Sequence, residues 1–267
     1  MKKQEPKSGG MPLVIIGSVL VIAVLAGIWL YSSSSSSAVP GGANNMSAAN
    51  SAKTAPANAP PGAPIGVNMM GSPTATVTVE EFADYQCGSC AAAHPIMKEI
   101  KSVYGSRIQF IYRHFPLQMH DKAYDASIIT EAAGLQGATK FWQMQDQLFS
   151  TQHLWTNNPN YREMWMGYAE KIGLDMEKLK ADVNSMQARS RVDADLQRGH
   201  GMGVTSTPTI YLNGRAVPYH MVNVQSMRQL IDAELQATAK PAETPSAPPA
   251  ASSGAAAPSA ANTTEQK

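Results

Sequence analysis

Two stretches with almost no large apolar side chains limit where this chain can fold. Residues 32–66 and 239–267 consist mainly of Ala, Pro, Ser, Gly, Asn and Thr. Such segments cannot bury enough apolar surface to offset the conformational entropy lost on ordering, so both are predicted to be disordered, one as a linker and one as a tail. A single folded domain is therefore expected over residues 67–238, which is long enough for a sizeable core.

A third stretch, residues 12–31, has the length and composition of a transmembrane helix. Its 20 residues carry no charge, and at helical rise they would span roughly 30 Å, the thickness of a bilayer core. Three lysines lie before it, within residues 1–11, and the next cation is Lys53. The positive-inside rule then predicts a cytoplasmic N-terminus and a domain held outside the cell (inner) membrane, in the periplasm or extracellular space.

A cleaved signal peptide is the alternative interpretation of this apolar stretch. The apolar region of a signal peptide is usually about 7 to 15 residues long, which is shorter than this one. A tolerable cleavage site does exist at Ser36-Ser37-Ala38. Because of its length, we interpret the stretch as an uncleaved, single-pass signal-anchor that tethers the domain to the membrane.

Hydrophobic periodicity within residues 67–238 predicts a mixed α/β domain with a helical middle. Strand patterns over TATVTVEEFADY and RIQFIYRHF flank a helical pattern that ends at Gly105. From about 119 to 198 the periodicity is helical, with breaks that indicate about four helices. Asn213-Gly214 then lies between two extended runs and predicts a β-hairpin, followed by a helix over NVQSMRQLIDAEL.

The only two cysteines, Cys87 and Cys90, are separated by Gly-Ser, and three uses of the pair compete. A structural disulfide across so short a loop would remove little chain entropy and stabilise weakly. A metal site would need more ligands, for which His94, four residues after Cys90, is the obvious candidate. The third use, a reversible dithiol, needs no metal and no cofactor, and it is the use we favour.

The predicted position of Cys87, where a strand gives way to a helix, favours its thiolate. Free backbone N–H groups and the helix dipole stabilise negative charge at that point. We expect a Cys87 pKa of about 5 to 6.5, with Cys87 as the attacking nucleophile. Cys90, one helical turn further, is expected to lie deeper and to close on Cys87 as the resolving thiol of a redox disulfide.

Several segments, in the same order, resemble the DsbA-like branch of the thioredoxin superfamily. They are CGSC with Pro95 after it, FPLQMH, KFWQMQDQLFSTQHLW and GVTSTPTIYLNGR. The resemblance covers nearly all of residues 67–238 and implies a thioredoxin fold with an inserted all-helical domain at about 119–198. It also implies dithiol-disulfide exchange at the CGSC motif. The Gly-Ser dipeptide departs from the Pro-His of the most strongly oxidising members and from the Gly-Pro of thioredoxin.

The resemblance implies a role for Glu81, which lies six residues before Cys87. Strand alternation places Glu81 on the face of Val77 and Val79, where it should be buried, and places Glu80 on the face of the neighbouring threonines. An acidic residue at the position of Glu81 would pass protons to and from the resolving cysteine. The alternative is a carboxylate satisfied by a lysine or a backbone group.

Thr207 and Pro208 are the last implied parts of the site. In the family, the proline is cis and packs against the disulfide, and the preceding backbone pairs with an extended substrate chain. The alternative for Pro208 is an ordinary turn residue.

Together these patterns predict a membrane-tethered thiol-disulfide oxidoreductase that forms disulfides in extracytoplasmic proteins. Its expected partners are reduced or unfolded client proteins and a membrane redox partner that recycles the disulfide. The net charge is +1, and no basic run occurs outside the N-terminal flank, so nucleic acid is not an expected partner. A disulfide isomerase or reductase, and a non-catalytic tethered binding or chaperone module, are the alternative functions.

Overall fold

A computed structural model describes residues 54–239. The predicted anchor at residues 12–31, most of the predicted linker and all but the first residue of the predicted tail lie outside this range. Among the described residues, no helix is both long enough and apolar enough to cross a bilayer.

Five strands form one sheet with a thioredoxin-like order. In chain order they are β1 (Met69–Gly71), β2 (Thr78–Ala83), β3 (Gln109–His114), β4 (Thr209–Leu212) and β5 (Arg215–Val217). The order across the sheet is β1-β3-β2-β4-β5, with β2 and β3 parallel and every other pair antiparallel. Since β2 is central and its residues are largely buried, the chain that leaves its end is held by strands on both sides.

The strand predictions hold for four of these five elements. The hairpin between β4 and β5 turns at Asn213 and Gly214, which both have positive φ values, as the Asn-Gly signal predicts. Strand β1 was not predicted, because it is only three residues long and its sequence shows no alternation. It nevertheless pairs with β3 and extends the sheet on that side.

Eight α-helices accompany the sheet in the described part of the chain. They are α1 (Gly88–Tyr104), α2 (Ala123–Gly134), α3 (Ala138–Ser150), α4 (Gln152–Trp155), α5 (Tyr161–Lys171), α6 (Met176–Val183), α7 (Met186–Gly201) and α8 (Val224–Ala239). Helices α2 to α7 form the predicted insert, which contains six helices rather than about four. Two breaks between helices were not predicted. Thr151 alone separates α3 from α4, and Ser185 separates α6 from α7, which it caps by accepting from the backbone N–H of Ala188.

The main apolar core lies between the sheet and the helices that cover it. Its centre is a group of aromatic rings in mutual contact, consisting of Tyr85, Tyr112, Phe141, Trp142 and Phe149. These rings come from β3, from the loop after β2 and from α3, so the insert shares one core with the sheet. The predicted α/β fold class with a helical insertion is confirmed.

Residues 54–66, here called the N-terminal strap, correct one prediction. They were assigned to the disordered linker, but they pack against the domain, and Ala63 is only 1% exposed. The backbone N–H of Ala63 donates to Asp195 (2.8 Å), and its carbonyl accepts from Arg113 (2.6 Å). Composition misled here because buried charged groups hold the strap through its backbone, which does not require large apolar side chains.

A buried charge cluster also corrects the expectation for Glu80. Glu80 is only 5% exposed, and its carboxylate accepts from Arg113 (2.7 Å) and Arg198 (2.6 and 2.8 Å). Helix α7 and the N-terminal strap cover the face of β2 on which strand alternation placed Glu80 with the neighbouring threonines. Arg113 also pairs with Asp195 at 2.8 Å, so one buried guanidinium joins the sheet, the insert and the strap.

The two carboxylates bound to Arg113 have pKa values displaced in opposite directions. Burial alone would raise the pKa of Glu80, but hydrogen bonds and charge from Arg198 and Arg113 lower it overall. Burial raises the pKa of Asp195 despite the opposing charges of Arg113 and His114. The difference follows from the number of guanidiniums, because Glu80 is paired with two and Asp195 with one.

Candidate redox site

Cys87 lies where the chain leaves β2 and enters α1. It is the N-cap residue of α1 and has an extended backbone (φ −74°, ψ 121°), as the sequence predicts. Cys87 is 9% exposed, whereas Cys90, one turn into the helix, is fully buried. Cys90 is thus the deeper of the two, as the sequence predicts, and both are free thiols in this structure.

The pKa values of the two thiols diverge. The pKa of Cys87 is lowered to about 5, first by a hydrogen bond from the Cys90 thiol and, against burial, by the side chain of Thr207 and backbone N–H groups of α1. Burial, and then the neighbouring Cys87, raise the pKa of Cys90 well above its usual value. Cys87 is therefore a thiolate at neutral pH and Cys90 a neutral thiol, and the Cys87 value lies within the predicted interval.

Thr207 and Pro208 lie next to Cys87. The peptide bond between them is cis, as the resemblance implied. The carbonyl oxygen of Thr207 lies 3.4 Å from Cys87 Sγ and accepts from the thiol when it is protonated. The fold thus brings Thr207 next to Cys87, although the two residues are 120 positions apart in sequence.

Glu81 is buried in β2, with 4% exposure, as predicted. Burial raises its pKa to about 7, and the charge of Lys101 on α1 opposes that rise. Burial likewise lowers the pKa of Lys101 to about 8, and its ammonium lies over the Trp142 ring at 4.2 Å. A lysine near the carboxylate was the alternative interpretation, and it is present, although the two groups make no ion pair within 4.0 Å.

The role of Glu81 in proton transfer is a prediction that Glu81→Gln can test. A carboxylate that accepts the proton of Cys90 should make Cys90-dependent steps accelerate as pH rises through about 7, where Glu81 ionises. Glutamine cannot ionise, so this rise should disappear. The rate at which Cys90 releases glutathione from a Cys87–glutathione mixed disulfide, followed across pH, measures the effect.

Glu99→Gln is the matched control for this experiment. Glu99 lies on α1, and its side chain is exposed, so its replacement should leave the pH profile of glutathione release unchanged. An unaltered profile in Glu81→Gln would remove Glu81 from the mechanism.

Asp84 is a residue of the site that sequence reasoning missed. It is fully buried, and its carboxylate accepts from the backbone N–H groups of Gln86 (2.6 Å), Cys87 (3.2 Å) and Leu117 (2.7 Å). His120 Nδ1 also lies 2.7 Å from Asp84 Oδ2, the oxygen that accepts from Leu117. An acidic residue three positions before a helix N-cap cysteine was the available signal.

Gln152, on the short helix α4, ties the helical insert to the redox site. Its side-chain amide donates to the carbonyl oxygens of Tyr85 (2.8 Å) and Cys87 (2.9 Å). Two exposed apolar side chains lie on segments bonded to the same region: Leu154 on α4, 50% exposed, and Met119 beside His120, 82% exposed. No sequence signal separated these two residues from other surface side chains.

His94, the candidate extra metal ligand, has other contacts in this structure. Its Nε2 lies 2.9 Å from Asp146 Oδ1, and its ring stacks on Phe149. A different group of three possible ligands, His114, Glu131 and Asp195, converges within 4.8 Å among the described residues. Guanidinium groups already pair with both of those carboxylates, so we assign this cluster to the charge network that holds the fold.

The fold and the site together define a thioredoxin-like domain with an activated dithiol. A family model described as Thioredoxin matches residues 65–233, which is more than half of the 267-residue chain. The chain therefore belongs to this thioredoxin family.

Solved structures with the same fold include three bacterial proteins. BdbD from Bacillus subtilis, in its oxidised form, has a TM-score of 0.56 and 24% identity, covering 67% of this chain and 98% of that chain. Wolbachia pipientis α-DsbA1 has a TM-score of 0.55 and 18% identity, with 64% and 92% covered. A thioredoxin-like oxidoreductase from Silicibacter pomeroyi has a TM-score of 0.51 and 22% identity, with 74% and 100% covered. At these identities the likeness concerns the fold alone.

Curated relatives of higher identity are named as sodium/proton antiporters. The NhaA 1 protein of Mycolicibacterium gilvum is 32% identical over 151 residues, and NhaA of Herminiimonas arsenicoxydans is 33% identical over 156. These matches cover 55% and 58% of this chain but only 23% and 24% of the relatives. The chain thus matches about a quarter of the length of each relative.

Proposed function

We propose that this protein is a membrane-tethered thiol-disulfide oxidoreductase that introduces disulfides into reduced proteins outside the cytoplasm. The observation that carries the proposal is the contrast between the two thiols: Cys87 is at a helix N-terminus with a pKa of about 5, and Cys90 is buried with a raised pKa. The apolar stretch at residues 12–31 supports the tether and the extracytoplasmic location.

The chemistry begins with the Cys87–Cys90 disulfide. A client thiolate attacks Cys87 Sγ, the bond between the cysteines breaks, and Cys90 leaves and takes up a proton because its pKa is high. A second client thiolate attacks the client sulfur of the mixed disulfide, and Cys87 leaves as a stable thiolate. Two electrons pass from the client to the protein, and a thiol oxidant in the membrane must remove them to restore the disulfide.

The low pKa of Cys87 favours oxidation as the direction of exchange. A thiol of low pKa is a good leaving group, and stabilising its thiolate stabilises the reduced protein, which makes the disulfide more oxidising. The Gly88-Ser89 dipeptide offers only backbone N–H groups and one hydroxyl to strengthen this effect. We therefore expect a potential between about −120 mV, as in DsbA, and about −270 mV, as in thioredoxin.

Unfolded clients fit the surface around the nucleophile. Met119 and Leu154 present apolar side chains on segments bonded to the redox loop. A flexible thioether adapts to varied apolar sequences, and such sequences are exposed in unfolded proteins.

The test is to mix the oxidised protein with a reduced, unfolded protein and to follow disulfide formation in that client. The wild type should form client disulfides, and its potential, measured against glutathione, should fall in the interval above. A potential below that of thioredoxin would contradict the oxidase assignment and favour a reductase.

A tethered binding or chaperone module is the alternative of a different class. The variant with both Cys87 and Cys90 changed to Ser separates the two functions. An oxidoreductase loses all exchange in this variant, whereas a binding module retains its affinity for unfolded clients and its ability to suppress their aggregation.

A further inference from the structure

Asp84 lies beside both cysteines and bonds the turn that leads into α1. Its carboxylate fixes the turn before α1 through the backbone N–H groups of Gln86 and Cys87, and its own backbone N–H approaches Cys90 Sγ at 3.5 Å. It is therefore in contact with both cysteines through the main chain, and its side chain is completely buried.

The same carboxylate also fixes the loop that follows β3. It accepts from the backbone N–H of Leu117, and His120 Nδ1 lies at 2.7 Å from it. Gln86 adds two bonds between the same segments, donating to Asp121 at 2.9 Å and accepting from the backbone N–H of Lys122 at 2.8 Å. The turn before Cys87 and the loop that carries Met119 thus form one hydrogen-bonded unit around Asp84.

The buried carboxylate is close enough to influence charge on Cys87. Asp84 Oδ1 lies 3.2 Å from the backbone nitrogen of Cys87. The covalent path from that nitrogen to Sγ adds at most about 4 Å, so carboxylate and sulfur are separated by no more than about 7 Å. Two negative charges at this distance in a buried site repel each other, and the polar groups next to them include His120, Cys90 and Thr207.

We propose that Asp84 is a positioning residue that limits how oxidising the Cys87–Cys90 pair is, because it orders the start of α1 while its charge opposes the thiolate. The inference rests on the proposed function, since a redox potential matters only for a dithiol that exchanges. It means that the strength of the oxidant is set by a residue outside the CGSC motif, in addition to Gly88 and Ser89.

The variant Asp84→Asn separates the charge from the structural role by the sign of its effect. Asparagine still offers its Oδ1 to the N–H groups of Gln86 and Cys87 and carries no charge, although its NH2 group replaces the oxygen that accepts from Leu117. If the charge opposes the thiolate, the pKa of Cys87 should fall by about one unit. The equilibrium with glutathione should then shift roughly tenfold toward the reduced protein. A purely structural role predicts the reverse, because a disordered turn would present fewer N–H groups to the sulfur.

The measurements are the ultraviolet absorbance of the thiolate against pH and the redox equilibrium with glutathione. Asp121→Asn is the matched control, since it removes a negative charge from the same loop at a side chain that is 71% exposed. Solvent screens that charge, so the control should leave both values unchanged. A lower Cys87 pKa in Asp84→Asn alone supports the proposal, and an unchanged or higher value overturns it.

Asp84→Ser provides a second variant if Asp84→Asn does not fold. Serine also offers an uncharged oxygen before a helix start, and the same fall in the Cys87 pKa is expected. Failure of both variants to fold would show that Asp84 acts in stability alone and would overturn the proposal.

Disulfide exchange by the wild type is measured in parallel. Its absence would refute the proposed function, whereas exchange without a shift in the variants would refute only the role of Asp84.

Discussion

Cys90→Ser is expected to accumulate mixed disulfides between Cys87 and client proteins, and Cys87→Ser is not. In the first variant the accessible thiolate remains, the serine hydroxyl can still donate to it, and no thiol is present to release the client. In the second variant the remaining thiol is fully buried, and burial raises its pKa above the usual value of a thiol. An ordinary thiol of pKa about 8.5 is only about 3% thiolate at pH 7, and burial lowers this fraction further, so Cys90 should react at least about 30-fold more slowly than Cys87.

Non-reducing electrophoresis of each variant after mixing with a disulfide-containing client measures the trapped complexes. The double serine variant is the control for non-covalent association. Dithiothreitol should reduce every mixed disulfide and release the client. Equal trapping by the two single variants would contradict the assignment of nucleophile and resolving thiol.

The parts of the site that could be predicted from sequence depend on local chemistry. Cys87 and Cys90 are two residues apart, and the change from strand to helix at Cys87 fixes which of them meets the free N–H groups of the helix. Burial of Glu81 followed from strand alternation with its apolar neighbours. The contact of Thr207 with Cys87 joins distant segments and came only from the resemblance to a known family.

The parts that could not be predicted depend on charged groups buried by distant segments. Strand alternation places Glu80 on a polar strand face, but Arg198 and the N-terminal strap cover that face. The carboxylate of Asp84 makes four contacts. Two are with the adjacent turn, at Gln86 and Cys87, and two are with a distant loop, at Leu117 and His120. Hydrophobic periodicity reports only where apolar residues recur, so it predicted the core and not the buried charge cluster.

Arg113→Met is expected to destabilise the domain by about 3 to 5 kcal/mol, because it removes one partner from buried ion pairs. Arg113 is 2% exposed and donates to Glu80, to Asp195 and to the strap carbonyl of Ala63. Methionine fills part of the volume but leaves Asp195, whose side chain is fully buried, without its guanidinium. The free energy of unfolding from urea titration measures the loss, provided that the slope with urea concentration is unchanged.

Arg162→Met is the matched control for this measurement, because Arg162 pairs with Asp125 at the surface and its side chain is 67% exposed. An exposed ion pair contributes at most about 1 kcal/mol, so the control should remain close to the wild type. Loss of the Arg113 contacts should also release the N-terminal strap, which early proteolysis within residues 54–66 would detect. Equal stability of the two variants would show that solvent or a rearranged neighbour compensates Asp195, and that the charge cluster does not hold the strap to the domain.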